Sequence, residues 1–260
     1  MELHFSKYHG TGNDFILLDN RSRKILLSTK EVAFLCDRHF GIGADGLMLL
    51  EQEAGYDFRM VYFNSDGNES SMCGNGGRCI VAFAQKLGLI TNKSRFMAID
   101  GPHSASIEEE GVVSLRMGDV SQIDRHDTYV LLNTGSPHYV TWVRDVVNID
   151  VFHQGNSIRN SEAFSAEGIN VNFVERMNGG LRVRTYERGV EDETLSCGTG
   201  VTAAAIAHSE NKTGHFIVPI ETPGGMLEVS FTKPSSDKAE DVYLKGPAQH
   251  VFEGTISMDR

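Results

Sequence analysis

The feature that most constrains this chain is a repeat. The segment YFNSDGNESSMCGNG (62–76) superposes without a gap on YERGVEDETLSCGTG (186–200). Tyr62 falls on Tyr186, Glu69 on Glu193, Ser70 on Thr194, Cys73 on Cys197, Gly74 on Gly198 and Gly76 on Gly200. The phase persists upstream. Gly12 precedes Cys73 by 61 positions and Gly135 precedes Cys197 by 62, each in a short glycine turn. Gly43 and Gly168 lie 30 and 29 residues before their cysteines. Several matches in one phase point to a duplicated domain. The expected organisation is therefore one half over residues 1–120 and a second over 121–248, with 249–260 returning to the first.

Each half combines short β-like runs with a helix after its cysteine. Residues 15–18, 47–50, 58–63 and 112–117 read as strands between Gly/Asn/Asp turns, and 129–132, 139–143, 181–186 and 227–231 do the same in the second half. Apolar residues at helical spacing predict a helix over 77–87 with Gly88 as its stop, and the Ala-rich run 202–208 predicts another. A polar stretch, 118–127, joins the halves. The fold class is α+β, built from two pseudo-symmetric β-rich domains.

Each cysteine thus stands at a helix entrance, after a glycine-rich turn. A helix N-terminus has unpaired N–H groups and partial positive charge. Both favour a thiolate over a thiol, and both bind a carboxylate. Inverting an amino acid at its α-carbon needs a base on one face and an acid on the other. A cysteine thiol, with an ordinary pKa of about 8.5, can serve in either role. Two equivalent cysteines therefore point to a thiolate/thiol pair working without metal or cofactor. Cys36 and Cys79, in apolar surroundings, read as inert packing residues.

Other chemistries are poorly supported. Cys73 and Cys79 have C-x5-C spacing with no second pair, which argues against zinc. GTGVTA (198–203) has the spacing of a dinucleotide loop but follows a polar run where a buried strand should be. No lysine in either cysteine turn could hold pyridoxal phosphate. The net charge of −11 argues against nucleic-acid or anionic-membrane partners. No apolar run could span a bilayer and no secretory signal is visible, so the expected location is the cytoplasm. The expected partner is a small-molecule substrate, with a homodimer left open as the assembly. Arg188 is in phase with Asn64, a pairing read equally as a site lining or as solvated surface, and His138 is left without a role.

The motifs HGTGNDF (9–15), RHFGIGADG (38–46), FNSDG (63–67), MCGNGGRC (72–79), GINVNF (168–173) and the second cysteine segment closely resemble the diaminopimelate epimerase family. The resemblance reaches GPA (246–248) and VFEG (251–254), so it spans nearly the whole chain. Related proline racemases usually carry His where this chain has Asn75. The resemblance implies two domains, each a barrel-like sheet around a central helix, with the active site in the cleft between them. It implies interconversion of LL- and meso-diaminopimelate without pyridoxal phosphate, supplying lysine and cell-wall synthesis.

Carried over, Cys73 is the base for the LL substrate and Cys197 for the meso form. Backbone groups of Gly74, Asn75, Gly198 and Thr199 hold the reacting carboxylate. Asn13 and Glu187 fix the reacting amine, and Asn64, Asn170 and Arg188 read the distal centre. Two positions depart from the family pattern: Gly46 stands where some members have Gln, and Ser136 where many have Asn. A racemase for another amino or imino acid is the main competing reading, and a binding or thiol-redox protein the other.

Overall fold

The two-residue turn Thr11-Gly12 sets the first element of the fold. In the computed structural model, which describes residues 2–108 and 111–258, Thr11 has φ 51° and Gly12 φ 87°. Two left-handed residues make the type I′ turn whose twist suits a hairpin. The turn joins β1 (Glu2–Gly10) to β2 (Asn13–Asp19), with Gly10 opposite Asn13. β2 pairs in parallel with β3 (Gly46–Glu51), which requires a crossover, and α1 (Thr29–Cys36) lies on it. α1 starts at a capping box: Ser28 Oγ accepts from the Glu31 N–H, and the Glu31 carboxylate accepts from the Ser28 N–H.

β2 and β3 are apolar without alternation because both faces are covered. Ile16, Leu18, Leu47 and Leu49 share a buried cluster with Val32 and Leu35 of α1. Met48 points to the other face, against Gly76 of α2 (Gly74–Lys86).

The chain divides into two compact units, Met1–Leu115 with Pro247–Arg260, and Arg116–Gly246. In the first, β4 (Phe58–Asn64) is antiparallel to β3 and carries the short β5 (Glu69–Ser70). After α2 the chain returns as β6 (Lys93–Ala98), parallel to β4, and continues antiparallel through β7 (Gly101–Ile107) and β8 (Val112–Arg116). The C-terminal strand, β18 (Gln249–Ser257), pairs antiparallel with β1. The order is β18-β1-β2-β3-β4-β6-β7-β8.

The second unit repeats this order strand for strand. β9 (Ile123–Arg125), β10 (Tyr129–Asn133) and β11 (Pro137–Trp142) are antiparallel neighbours. α3 (Val151–Arg159) leads to β12 (Asn170–Met177), parallel to β11. β13 (Gly180–Glu187) follows antiparallel and carries β14 (Asp192–Thr194). After α4 (Gly198–His208), β15 (Gly214–Thr222) is parallel to β13, and β16 (Gly225–Ser235) and β17 (Lys238–Pro247) complete the sheet. β18 therefore takes in the first unit the place that β9 holds in the second.

Each sheet curls about its helix. α4 contacts β10, β11, β12, β13, β15 and β16, and α2 contacts β1, β2, β3 and β7. Val201 and Ala203–Ala207 are all buried, leaving α4 almost no polar face; such a helix must be enclosed. This is the two-domain, β-rich α+β class expected from the repeat.

Both central helices begin earlier than the apolar spacing predicts, at Gly74 and Gly198. Their opening glycines read as turns but form the first helical turn, where there is no room for a side chain. A Cβ on Gly76 would lie 2.9 Å from Met48 Cε, and one on Gly200 would lie 2.4 Å from Asn172 Oδ1. Strands such as β6 and β15 were missed because charged residues or Pro219 interrupt their apolar pattern.

Candidate active site

In the first unit Cys73 is the N-cap of α2, and its Sγ accepts from the Gly76 N–H at 3.1 Å. Sulfur here does what a Ser or Asp oxygen does at other helix starts. Gly76 must lack a side chain for this approach, since its Cβ would sit 3.1 Å from that sulfur. Gly74 and Asn75 follow, both buried.

A network fixes Asn75 and Asn13. Arg78, fully buried, donates to Asn75 Oδ1 (3.0 Å), Gly74 O (3.2 Å) and Thr11 Oγ1 (3.3 Å). Burial pushes its pKa down to about 10, with the Cys79 and Cys73 sulfurs opposing that shift. Asn75 Nδ2 donates to Asn13 Oδ1 at 3.2 Å, and Asn13 Nδ2 donates to Asp45 Oδ2 at 2.7 Å. Asp45 also accepts from Arg38 at 2.7 Å. Arg38 binds Asp14 as well, and Lys7 pairs with Asp14 at 2.7 Å while donating to the Gly43 carbonyl. Although burial works against it, hydrogen bonds and charge from Arg38 and Lys7 hold the Asp14 carboxyl well below the usual range.

Asn64 is exposed at the end of β4, opposite Gly46. Since Phe15 pairs with Gly46, this is the sheet end that carries Asn13 and Asp45. A Cβ on Gly46 would lie 2.6 Å from Tyr62 Cε2 and 2.7 Å from the Phe63 carbonyl. A glycine at this position thus has a local cause: the buried Tyr62 ring occupies the space.

In the second unit Cys197 is the N-cap of α4, without the backbone bond seen at Cys73. Its Sγ lies 3.5 Å from Thr199 Oγ1, which lies 3.3 Å from Ser136 Oγ. Thr134 Oγ1 donates to the Thr199 carbonyl at 2.8 Å. Asn170 Nδ2 donates to Ser136 Oγ (3.0 Å) and the Pro137 carbonyl (3.1 Å), and Asn170 Oδ1 accepts from the Arg188 N–H (2.9 Å). The exposed Arg188 guanidinium donates to the Glu167 carbonyl at 2.9 Å. Glu187 accepts from Thr194 Oγ1 at 3.0 Å, across the β13–β14 pair.

The remaining thiols are sealed. Burial pushes Cys36 up to about 12 and Cys79 higher still. A thiol raised so far is a poor acid/base group at neutral pH.

A family model described as diaminopimelate epimerase matches residues 5–123 and 130–251. The chain belongs to the diaminopimelate epimerase family. A diaminopimelate epimerase from Flavobacterium psychrophilum is 54% identical over 253 residues, covering 96% of this chain and 98% of that protein. One from Chlorobaculum tepidum is 39% identical over 259 residues, covering 96% and 99%. Among solved structures, a PhzF-family phenazine biosynthesis protein from Bacillus anthracis matches with TM-score 0.76 at 15% identity, covering 99% of this chain and all of that one. That last likeness, at 15% identity, speaks to the fold alone.

Within each unit the structure links most residues the resemblance nominates: Cys73, Gly74, Asn75 and Asn13 in one, and Cys197, Gly198, Thr199, Asn170 and Arg188 in the other. Asn64 and Glu187 stand at the same sheet ends, at the close of β4 and β13. Arg78, Arg38 and Asp45 were not singled out from sequence, and His138 was left without a role. The one available signal was Arg78 itself, a charge inside a glycine-rich helix start.

Proposed function

We propose that the chain interconverts LL- and meso-diaminopimelate by a two-base 1,1-proton transfer, with Cys73 and Cys197 as its acid/base pair. The observation that carries this reading is the equivalence of the two cysteines. Each is the N-cap of the central helix in a unit of identical strand order, in a chain that belongs to the diaminopimelate epimerase family.

In one direction the Cys73 thiolate takes the α-proton of the LL substrate as the Cys197 thiol delivers its proton to the opposite face. Cys73 then ends as thiol and Cys197 as thiolate, which is the state the reverse reaction requires. The pair titrates as a unit, since one member must be charged while the other is protonated. Negative charge that builds on the substrate carboxylate meets N–H groups of Gly74, Asn75, Gly198 and Thr199 at the two helix starts. Donors already aimed at developing charge need no rearrangement, and such preorganised attraction is the main source of rate in many enzymes. Asn13, oriented by Asn75 and Asp45, and Glu187 hold the reacting amine. Asn64, Asn170 and Arg188 read the far end, where a polar cluster rejects substrates that would leave its donors unpaired.

On this reading the enzyme works in the cytoplasm with a small molecule as its partner; sedimentation distinguishes monomer from homodimer. Among the described residues no helix is long and apolar enough to cross a membrane. Turnover rates on diaminopimelate, proline, glutamate and lysine test the substrate assignment. The expected result is inversion of diaminopimelate alone, and turnover of proline alone would sink it.

A further inference from the structure

Arg78 places a positive charge where helix stability alone would disfavour one. It is fully buried one turn into α2, close to the end that already carries partial positive charge. It donates to the carbonyls of Gly74 and Pro247, the Asn75 amide oxygen and the Thr11 hydroxyl, and among the described residues no carboxylate pairs with it. Burial lowers its pKa only to about 10, so it remains a cation at neutral pH. A buried charge without an opposite one leaves its desolvation unrepaid.

The anion able to answer it is the Cys73 sulfur. Cys73 caps the same helix, next to Gly74, whose carbonyl Arg78 holds at 3.2 Å, and its Sγ accepts from the Gly76 N–H at 3.1 Å. The other titratable groups around this helix start are neutral or paired. Burial pushes the Cys79 thiol far up and the Tyr8 hydroxyl of β1 up to about 12. His9 of β1 accepts the Gly12 N–H at Nδ1, and Asp100, which takes the Met72 N–H, pairs with His103 of β7 at 3.1 Å. Lys7, Asp14, Arg38 and Asp45 close on one another.

The second unit has no such cation. The residue five places after Cys197 is Thr202, as Arg78 is five places after Cys73. Thr202 Oγ1 donates to the Gly198 carbonyl at 2.8 Å, so a neutral hydroxyl holds the carbonyl that a guanidinium holds at Gly74. Beside the start of α4 stand His138, kept neutral by burial, and Glu187 and Arg188 at the close of β13, of opposite charge.

We propose that Arg78 is a positioning residue that draws the negative charge of the thiol pair onto Cys73, so that the chain without substrate rests with Cys73 as thiolate and Cys197 as thiol. The catalytic meaning of this rests on the two cysteines being the acid/base pair. An opposite charge nearby favours the ionised form of a thiol. The resting chain then meets the LL substrate with its base already formed. The meso substrate needs the minor form, in which the one shared proton sits on Cys73 instead.

The test is the pH dependence of the initial rate of iodoacetamide alkylation in the intact chain, with the Cys73 and Cys197 peptides resolved by mass spectrometry. In the parent protein the Cys73 midpoint should lie at least about 1 pH unit below that of Cys197. Arg78→Met should raise the Cys73 midpoint by about 1–2 units while that of Cys197 does not rise. Arg78→Lys, which keeps the charge without the planar fork, should bring the Cys73 midpoint most of the way back. A purely structural role would leave the Lys variant like the Met one. Should Arg78→Met fail to fold, the parent protein and Arg78→Lys still decide. A parent Cys73 midpoint at or above that of Cys197, an unmoved Cys73 midpoint in Arg78→Met, or a Lys variant that matches the Met one would overturn the proposal. Alkylation requires no substrate, so the two readings can fail separately. A low Cys73 midpoint set by Arg78 without diaminopimelate turnover supports the charge placement and rejects the function. Turnover with a Cys73 midpoint at or above that of Cys197 rejects the charge placement alone.

Discussion

The guanidinium of Arg78 donates to the side-chain oxygen of Asn75 at 3.0 Å, and that one bond orients a chain of amides. Arginine has only donors. Asn75 must therefore present its oxygen to Arg78 and its amino group to Asn13, 3.2 Å away, and Asn13 must present its amino group to Asp45. A buried cation one turn into α2 thus sets the direction in which two candidate substrate-binding side chains point.

Arg78 should also support the fold. Among the described residues it has no carboxylate partner; its acceptors are Gly74 O, Asn75 Oδ1, Thr11 Oγ1 and Pro247 O. It also holds Thr11, whose left-handed backbone is costly for a β-branched residue. Arg78→Met leaves several buried acceptors unmet and is expected to lower the unfolding free energy by about 2–4 kcal/mol, measured in urea. Arg78→Lys keeps the charge but loses the planar fork, and should recover less than half of that loss.

His138 predicts an acid-side loss of stability. Its folded pKa lies near 3 and its ordinary value is 6.5, with burial the main cause. As pH falls below 6.5 the unfolded imidazole takes up a proton that the folded one refuses, so stability falls until about pH 3. Between pH 6.5 and about 4.5 the loss should reach roughly 2–3 kcal/mol. His208, also lowered by burial, acts in the same direction. Urea unfolding across this window should show the slope, and His138→Gln should flatten most of it. A slope unchanged in that variant would mean that His138 titrates normally.

Two glycines separate packing from chemistry. Gly200→Ala would drive a Cβ to 2.4 Å from Asn172 Oδ1 and 3.3 Å from Cys197 Cβ, in a site with little freedom to yield. A loss of about 1–3 kcal/mol is expected. Gly46→Gln meets the Tyr62 ring and the Phe63 backbone and should destabilise by a similar amount without raising turnover. Melting temperatures and steady-state rates check both.

Much of this was legible because the decisive signals are local. A Cys-Gly-x-Gly segment repeated in phase announces two helix entrances wherever the helices pack, and apolar runs such as those at 15–18 and 47–50, bounded by turn residues, announce strands. What escaped depends on distant contacts. Arg78 meets Thr11 from 67 positions away, and Asp45 meets Asn13 from 32. His138 looked like any isolated histidine, because its burial and its contact with Asn172, 34 positions away, are set by the fold. The early helix starts escaped for a related reason. Glycine reads as a turn until the side chains crowding Gly76 and Gly200 explain its presence.

If both thiols exchange the α-proton, incubating LL-diaminopimelate with the protein in deuterium oxide will show it. The parent protein, Cys73→Ala and Cys197→Ala are compared for meso product and for its α-deuterium, read by mass spectrometry. The expected result is one solvent deuterium at the inverted carbon with the parent protein, and at least about a hundredfold slower inversion in each single variant. Inversion at the parent rate by either variant, or meso product free of solvent deuterium, would contradict the two-thiol mechanism.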